Sequence, residues 1–87
     1  MPKRRRPPKS VGKLEKAFGR VLRENRARQR LTQETLAFES EYHPTYIGQL
    51  ERGEKSPSLR TIMTLAGVLK TSGSDMLKRV EAESKRS

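Results

Sequence analysis

From Leu14 to Val80 the apolar residues of this chain recur at intervals of three and four, and nowhere do they alternate with a period of two. The first pattern gathers side chains on one face of an α-helix, and the second is what a half-buried strand would need. The core must therefore be built from helices. Pro, Gly and hydroxyl residues interrupt the pattern and divide it into separate helices. The 87 residues suffice for one compact domain and leave little room for a deep substrate cavity.

The elements can be placed in order. Leu14, Ala17, Phe18, Val21 and Leu22 form a first apolar stripe, with Lys13, Lys16, Arg20, Arg23 and Arg28 on the opposite face. Ser10 is the expected cap, and this helix is expected to run to about Arg30. Thr32 suits the N-cap of a short second helix that buries Leu36 and Ala37 and ends near Glu39. After a link over residues 40–43, Pro44 fits the first position of a third helix, where a backbone donor would go unused. That helix should bury Ile47 and Leu50, reach about Arg52 and stop at Gly53. Pro57 and Ser58 open a fourth helix, with Leu59, Ile62, Leu65, Ala66 and Leu69 expected inside. Ser72 and Asp75 have the spacing of a capping box for a fifth, whose inner face would be Met76, Leu77 and Val80. The charged end after Glu81 is expected to fray, leaving residues 83–87 loose. The fold class expected is all-α, a compact five-helix domain over residues 11–82.

Charge is distributed unevenly. Residues 1–30 hold twelve Lys and Arg against two Glu, whereas residues 31–87 hold eight of each sign, so the net charge of +10 lies wholly in the first third. Such concentration points to an anionic partner. A polyphosphate backbone fits better than a membrane, because no basic amphipathic helix with aromatic anchors is present. No apolar run approaches the roughly 18 residues that span a bilayer, and no apolar signal core follows the basic start. A cytoplasmic, nucleoid-associated protein is therefore expected. With no Cys and a single His, neither a metal nor a cofactor is expected. The acidic residues are scattered along the chain rather than gathered for catalysis, so no enzyme is expected. The opening MPKRRRPPKS, residues 1–10, reads as a flexible basic arm. Its Lys3, Arg4, Arg5, Arg6 and Lys9 suit a DNA backbone or minor groove, and equally a solvated tail.

Within the third helix, Thr45, Tyr46 and Gln49 stand on the side opposite Ile47 and Leu50, and Thr45 and Gln49 are four residues apart on one face. Gln pairs bidentately with adenine, and Thr donates, accepts or touches a thymine methyl. The start of the second helix offers unpaired backbone N–H groups suited to a phosphate.

The stretch LTQETLAFESEYHPTYIGQLERGEKSPSLRTIMTLAGVLKTSGSDML resembles the lambda-repressor-like, XRE-type helix-turn-helix family, which includes phage repressors and restriction-modification controller proteins. LTQ-x-x-LA, Y-I-x-x-LERG, PSL-x-x-I and L-x-x-S carry the resemblance, which extends over roughly residues 14–80 with the helix-turn-helix at 32–52. It implies a sequence-specific, double-stranded DNA-binding transcription regulator, a repressor or autoregulator, acting as a homodimer. It also implies that Gln33 anchors the DNA backbone and touches a base, with Thr32 beside it. His43, Arg26 and Arg52 would meet phosphates, Lys55 being added from its place in the following loop. Arg26 and Glu51 occupy positions where an ion pair joins the first and third helices.

Some positions depart from the family pattern. Arg30, Glu41 and Lys70 stand where Gly is common, Gly48 lies inside the recognition helix, and Pro44 replaces a base-reading side chain of some relatives. For the dimer surface, the fifth helix with Met76 and Val80 is the expectation. The alternative function is an antitoxin or bridging protein that uses the same fold to hold a small protein partner.

Overall fold

Residues 12–86 are described in the computed structural model, so the basic arm with Lys3, Arg4, Arg5, Arg6 and Lys9 lies outside the described residues, as does the expected Ser10 cap. The described chain forms α1 (Lys13–Arg28), α2 (Gln33–Ser40), α3 (Pro44–Glu51), α4 (Leu59–Val68) and α5 (Gly73–Arg86), with no strand among them.

Helix α1 opens at Lys13 with Gly12 as its N-cap. The Gly12 N–H donates to Glu15 Oε1 at 2.9 Å, so a side chain from the first turn reaches back to supply the cap. Thr32 Oγ1 and Ser58 Oγ accept from the N–H groups of Thr35 and Thr61, each at 3.0 Å, and set the starts of α2 and α4. Ser72 Oγ accepts from the Asp75 N–H at 3.0 Å and starts α5.

Three helix ends turn through a left-handed residue: Arg30 at φ 59°, Glu41 at φ 64° and Lys70 at φ 60°. In each case the next residue donates back five positions, Leu31 to Arg26 O, Tyr42 to Ala37 O and Thr71 to Ala66 O, at 2.9–3.1 Å. These are the three sites where the family pattern favours Gly, and each non-Gly residue there costs on the order of 1 kcal/mol. The Arg30 turn also explains why α1 closes at Arg28 rather than Arg30.

The core is formed by Ala17, Phe18, Val21 and Leu22 from α1, Leu36 and Ala37 from α2, and Ile47 and Leu50 from α3. Leu65, Ala66, Leu69, Met76 and Val80 close it from the far side. Helix α1 presses directly on the end of α3 at Gly19. A Cβ there would lie 2.6 Å from the Leu50 carbonyl oxygen and closer still to that of Glu51.

Helices α1 and α5 run antiparallel, clasped by Arg20 Nε to Glu83 Oε2 at 2.9 Å and by Arg79 to Glu24. Exposed pairs of this kind contribute little singly. Ser84 Oγ donates to the Glu81 carbonyl at 3.0 Å, and α5 continues to Arg86. Three apolar placements also need correction. Leu59 is 73% exposed, and Leu14 and Leu77 stand at the surface, flanking a groove with Pro57 and Ile62. Met76 and Val80 are instead committed to the monomer core, so they cannot provide a dimer surface.

Candidate nucleic-acid interface

Helix α3 is presented by its own first residues. His43 is the N-cap, its Nδ1 accepting from the Thr45 N–H at 3.0 Å, so the proton of the neutral ring sits on Nε2, the nitrogen left to donate elsewhere. Pro44 follows with the backbone angle a helix requires. From there Thr45, Gly48, Gln49 and Arg52 are spaced as one stripe along the helix, while Ile47 and Leu50 are buried on the other side. Thr45 and Arg52 are exposed and Gln49 is half-buried.

Tyr46 stands beside that stripe. Its hydroxyl lies 3.3 Å from Thr61 Oγ1, and the Tyr42 hydroxyl lies 3.2 Å from the same atom. The two rings meet edge to face at 5.2 Å, joining the turn, α3 and α4. Its hydroxyl is thus engaged with α4, whereas Thr45 and Gln49 share the stripe.

Behind α3 is a polar junction centred on Glu51, whose side chain is only 1% exposed. Arg26 donates to it twice, from Nε to Oε2 at 2.6 Å and from Nη2 to Oε1 at 3.1 Å. Arg26 Nη1 donates to the Leu31 carbonyl at 2.8 Å, so three of its N–H groups are committed within the protein. Gln33 Nε2 donates to Glu51 Oε1 at 2.9 Å, and Arg23 Nε stands 3.7 Å away. Burial pushes the Glu51 carboxyl upward, but the bonds from Arg26 and Gln33 and the charges of Arg26 and Arg23 outweigh it, leaving Glu51 below its ordinary value. The bond to Glu51 in turn raises the Arg26 guanidinium, so both stay charged. The expected pair is present, and it fixes α1, α2 and α3 to one another.

The remaining candidates lie around this junction. Thr32 is exposed at the start of α2, its hydroxyl used by the cap. Arg52 is exposed at the end of α3 and paired with Glu54, Nε to Oε2 at 2.8 Å and Nη2 to Oε1 at 3.3 Å. Lys55 is exposed in the loop that follows. Sequence reasoning missed three features: the Gln33–Glu51 bond, the Tyr42–Tyr46–Thr61 cluster and the Glu54 partner of Arg52. The first two join residues distant in sequence, which no local pattern signals. Glu54, two residues beyond Arg52, was open to inspection.

A short capped helix, a turn through a left-handed residue, and a second helix with an outward polar stripe over a buried back define a helix-turn-helix. The sequence agrees: residues 22–76 match the helix-turn-helix family, and the chain belongs to it. It is similar to the control protein C.BamHI of Bacillus amyloliquefaciens, 38% identical over 61 residues that cover 69% of this chain and 75% of that one. Among solved structures it is similar to the clp gene regulator ClgR of Corynebacterium glutamicum, with 32% identity and a TM-score of 0.79 over 83% of this chain and 77% of that one. It also resembles the restriction-modification controller protein C.AhdI of Aeromonas hydrophila, with 40% identity and a TM-score of 0.69 over 71% of this chain and 94% of that one.

Proposed function

We propose that this protein is a sequence-specific double-stranded DNA-binding regulator of transcription that acts as a homodimer, without enzymatic activity. The observation that carries this reading is the outward stripe of α3, held rigid from behind by the Arg26–Glu51–Gln33 junction. In the major groove, Thr45 and Gln49 read base edges, Gln49 pairing with adenine. Tyr46 contributes at the edge of that contact. Gln33 and Thr32 bring the positive end of α2 to a phosphate, and Gln33 also reaches a base. His43 donates from Nε2, and Arg52 and Lys55 add charge. Arg26 has fewer donors to offer a phosphate, and its main role is to hold α3. The arm with Lys3, Arg4, Arg5, Arg6 and Lys9 supplies sequence-independent grip.

One module of this size makes few base contacts, and pairing on two half-sites about 34 Å apart is how such modules gain specificity. Exposed Leu14, Leu59, Met63 and Leu77, with the apolar groove between α1, α4 and α5, form the surface a second copy would cover. The regulated step is occupancy of an operator in the cytoplasm. Among the described residues no helix is long and apolar enough to cross a membrane.

Titration of labelled duplexes, followed by fluorescence anisotropy over a salt series, tests these roles. Gln49→Ala should lose discrimination at one base position, worth about 1–3 kcal/mol. Deleting residues 1–9 should weaken binding to all duplexes alike and flatten the salt dependence. Wild-type protein that binds no duplex, or Gln49→Ala that leaves the base preference unchanged, would refute the assignment.

A further inference from the structure

The stripe of α3 contains a glycine between two of its polar residues, inside a helix that alanine would favour. Gly48 belongs to the outward stripe by its position, yet it is buried. What covers it are two side chains from the interface itself. A Cβ at this position would lie 3.1 Å from Arg52 Nη1, 3.9 Å from Arg52 Cζ and 3.8 Å from Gln33 Oε1. Arg52 thus folds back one helical turn so that its guanidinium rests over bare backbone, and the Gln33 amide arrives at the same spot from α2.

Both groups are held there from the protein side. Gln33 Nε2 is bonded to Glu51, which leaves Oε1 as the end near Gly48. Arg52 makes two bonds to Glu54 at its other edge, an exposed pair that biases the orientation of the guanidinium. A guanidinium is a planar fork that meets a phosphate through two parallel bonds, and fixing the fork in advance removes most of the ordering that binding would otherwise require.

We propose that Gly48 is a positioning residue: it seats the Arg52 guanidinium beside Gln33, so that Arg52 engages the DNA backbone as an already oriented fork. This rests on the DNA-binding function proposed above. A methyl group at position 48 would stand 3.1 Å from the far end of a flexible side chain, so the helix tolerates it and the Arg52 guanidinium gives way by a few tenths of an ångström, out of its seat. Stability and binding therefore part company at this position.

The test is a double-substitution cycle in the full chain, with a duplex selected by wild-type protein and with thermal melting of every variant. Gly48→Ala should melt at or above the wild-type temperature and bind about tenfold more weakly. In an Arg52→Ala background, the same change should alter affinity by less than about twofold, since the group it displaces is gone. Arg52→Lys, which keeps the charge but not the fork, should bind about as weakly as Gly48→Ala with an undiminished salt slope. An equal loss from Gly48→Ala in both backgrounds would mean that the methyl group obstructs DNA itself, and would overturn the proposal. Wild-type affinity in Gly48→Ala or in Arg52→Lys would overturn it as well, while leaving the DNA-binding function standing. Failure of the wild-type protein to bind any duplex would remove both.

Discussion

Replacing Arg26 by Ala removes the largest part of the junction that fixes α3. Three bonds disappear, the two to Glu51 at 2.6 and 3.1 Å and the one to the Leu31 carbonyl at 2.8 Å. Glu51, 1% exposed, keeps only the Gln33 bond and Arg23 at 3.7 Å. Leaving a buried charge without its partner costs about 3–5 kcal/mol. Arg26 itself is 17% exposed, so water and Arg23 recover part of that, and about 2–3 kcal/mol is the expected loss. For a domain of this size that is a fall in Tm of roughly 10–20 °C. The pH dependence gives a sharper test. In the wild-type protein Glu51 is held below its ordinary value of 4.5, so its stabilising contribution is present above that pH and is lost as the pH falls through the lower folded value. In Arg26→Ala the bond and charge of Arg26 are gone while burial remains, so the carboxyl is expected to take up its proton at a higher pH than in the wild-type protein. The stability gap between the two proteins must therefore narrow on acidification. Thermal melts followed by circular dichroism at neutral pH and near pH 3.5 would show it. A gap below about 0.5 kcal/mol at neutral pH, or one of equal size at both pH values, would refute the reasoning.

Gly19→Ala drives a methyl group into the Leu50 and Glu51 carbonyls and should destabilise by about 3 kcal/mol or more in chemical denaturation. The same change at Gly67, where a Cβ meets nothing within 4 Å, should stabilise by about 0.5–1 kcal/mol. Lys70→Gly relieves a left-handed residue at φ 60° and should raise stability by up to about 1 kcal/mol, read from the denaturation midpoint. Leu59→Lys, at a site 73% exposed, should leave the monomer fold intact and shift sedimentation from dimer toward monomer.

The helix starts at Thr32, Pro44 and Ser58 were legible because capping chemistry is local: a hydroxyl three residues before its N–H partner, or a proline at a first turn, can be read without a partner helix. The Gly53 stop, at φ 74°, is of the same kind. Periodicity fared differently at its edges. Leu14, Leu59 and Leu77 continue apolar stripes in register, but whether the last residue of a stripe meets another helix or the surface is decided by where the other helices end. Met76 and Val80 failed as a dimer surface for the converse reason, since α1 claims that face. At the start of α1 the Glu15 carboxylate accepts from the Gly12 N–H, a bond within the first turn. The helical stretch of α5 beyond Glu81 carries the pair between Glu83 and Arg20, sixty-three positions away, which no local pattern signals. In the candidate interface, Arg26 and Glu51 followed from family resemblance. Glu51's second partner, Gln33, and the seat at Gly48 required the crossing of α2 over α3, which no spacing within either helix encodes.

Selection of bound duplexes from a random DNA pool at physiological salt tests the functional claim most directly. The expected product is an inverted repeat with half-sites about one helical turn apart, each containing an adenine whose replacement is tolerated once Gln49 is changed to Ala. Binding at low salt with no sequence enriched from the pool would contradict it, leaving a basic helical protein that grips the DNA backbone without reading it.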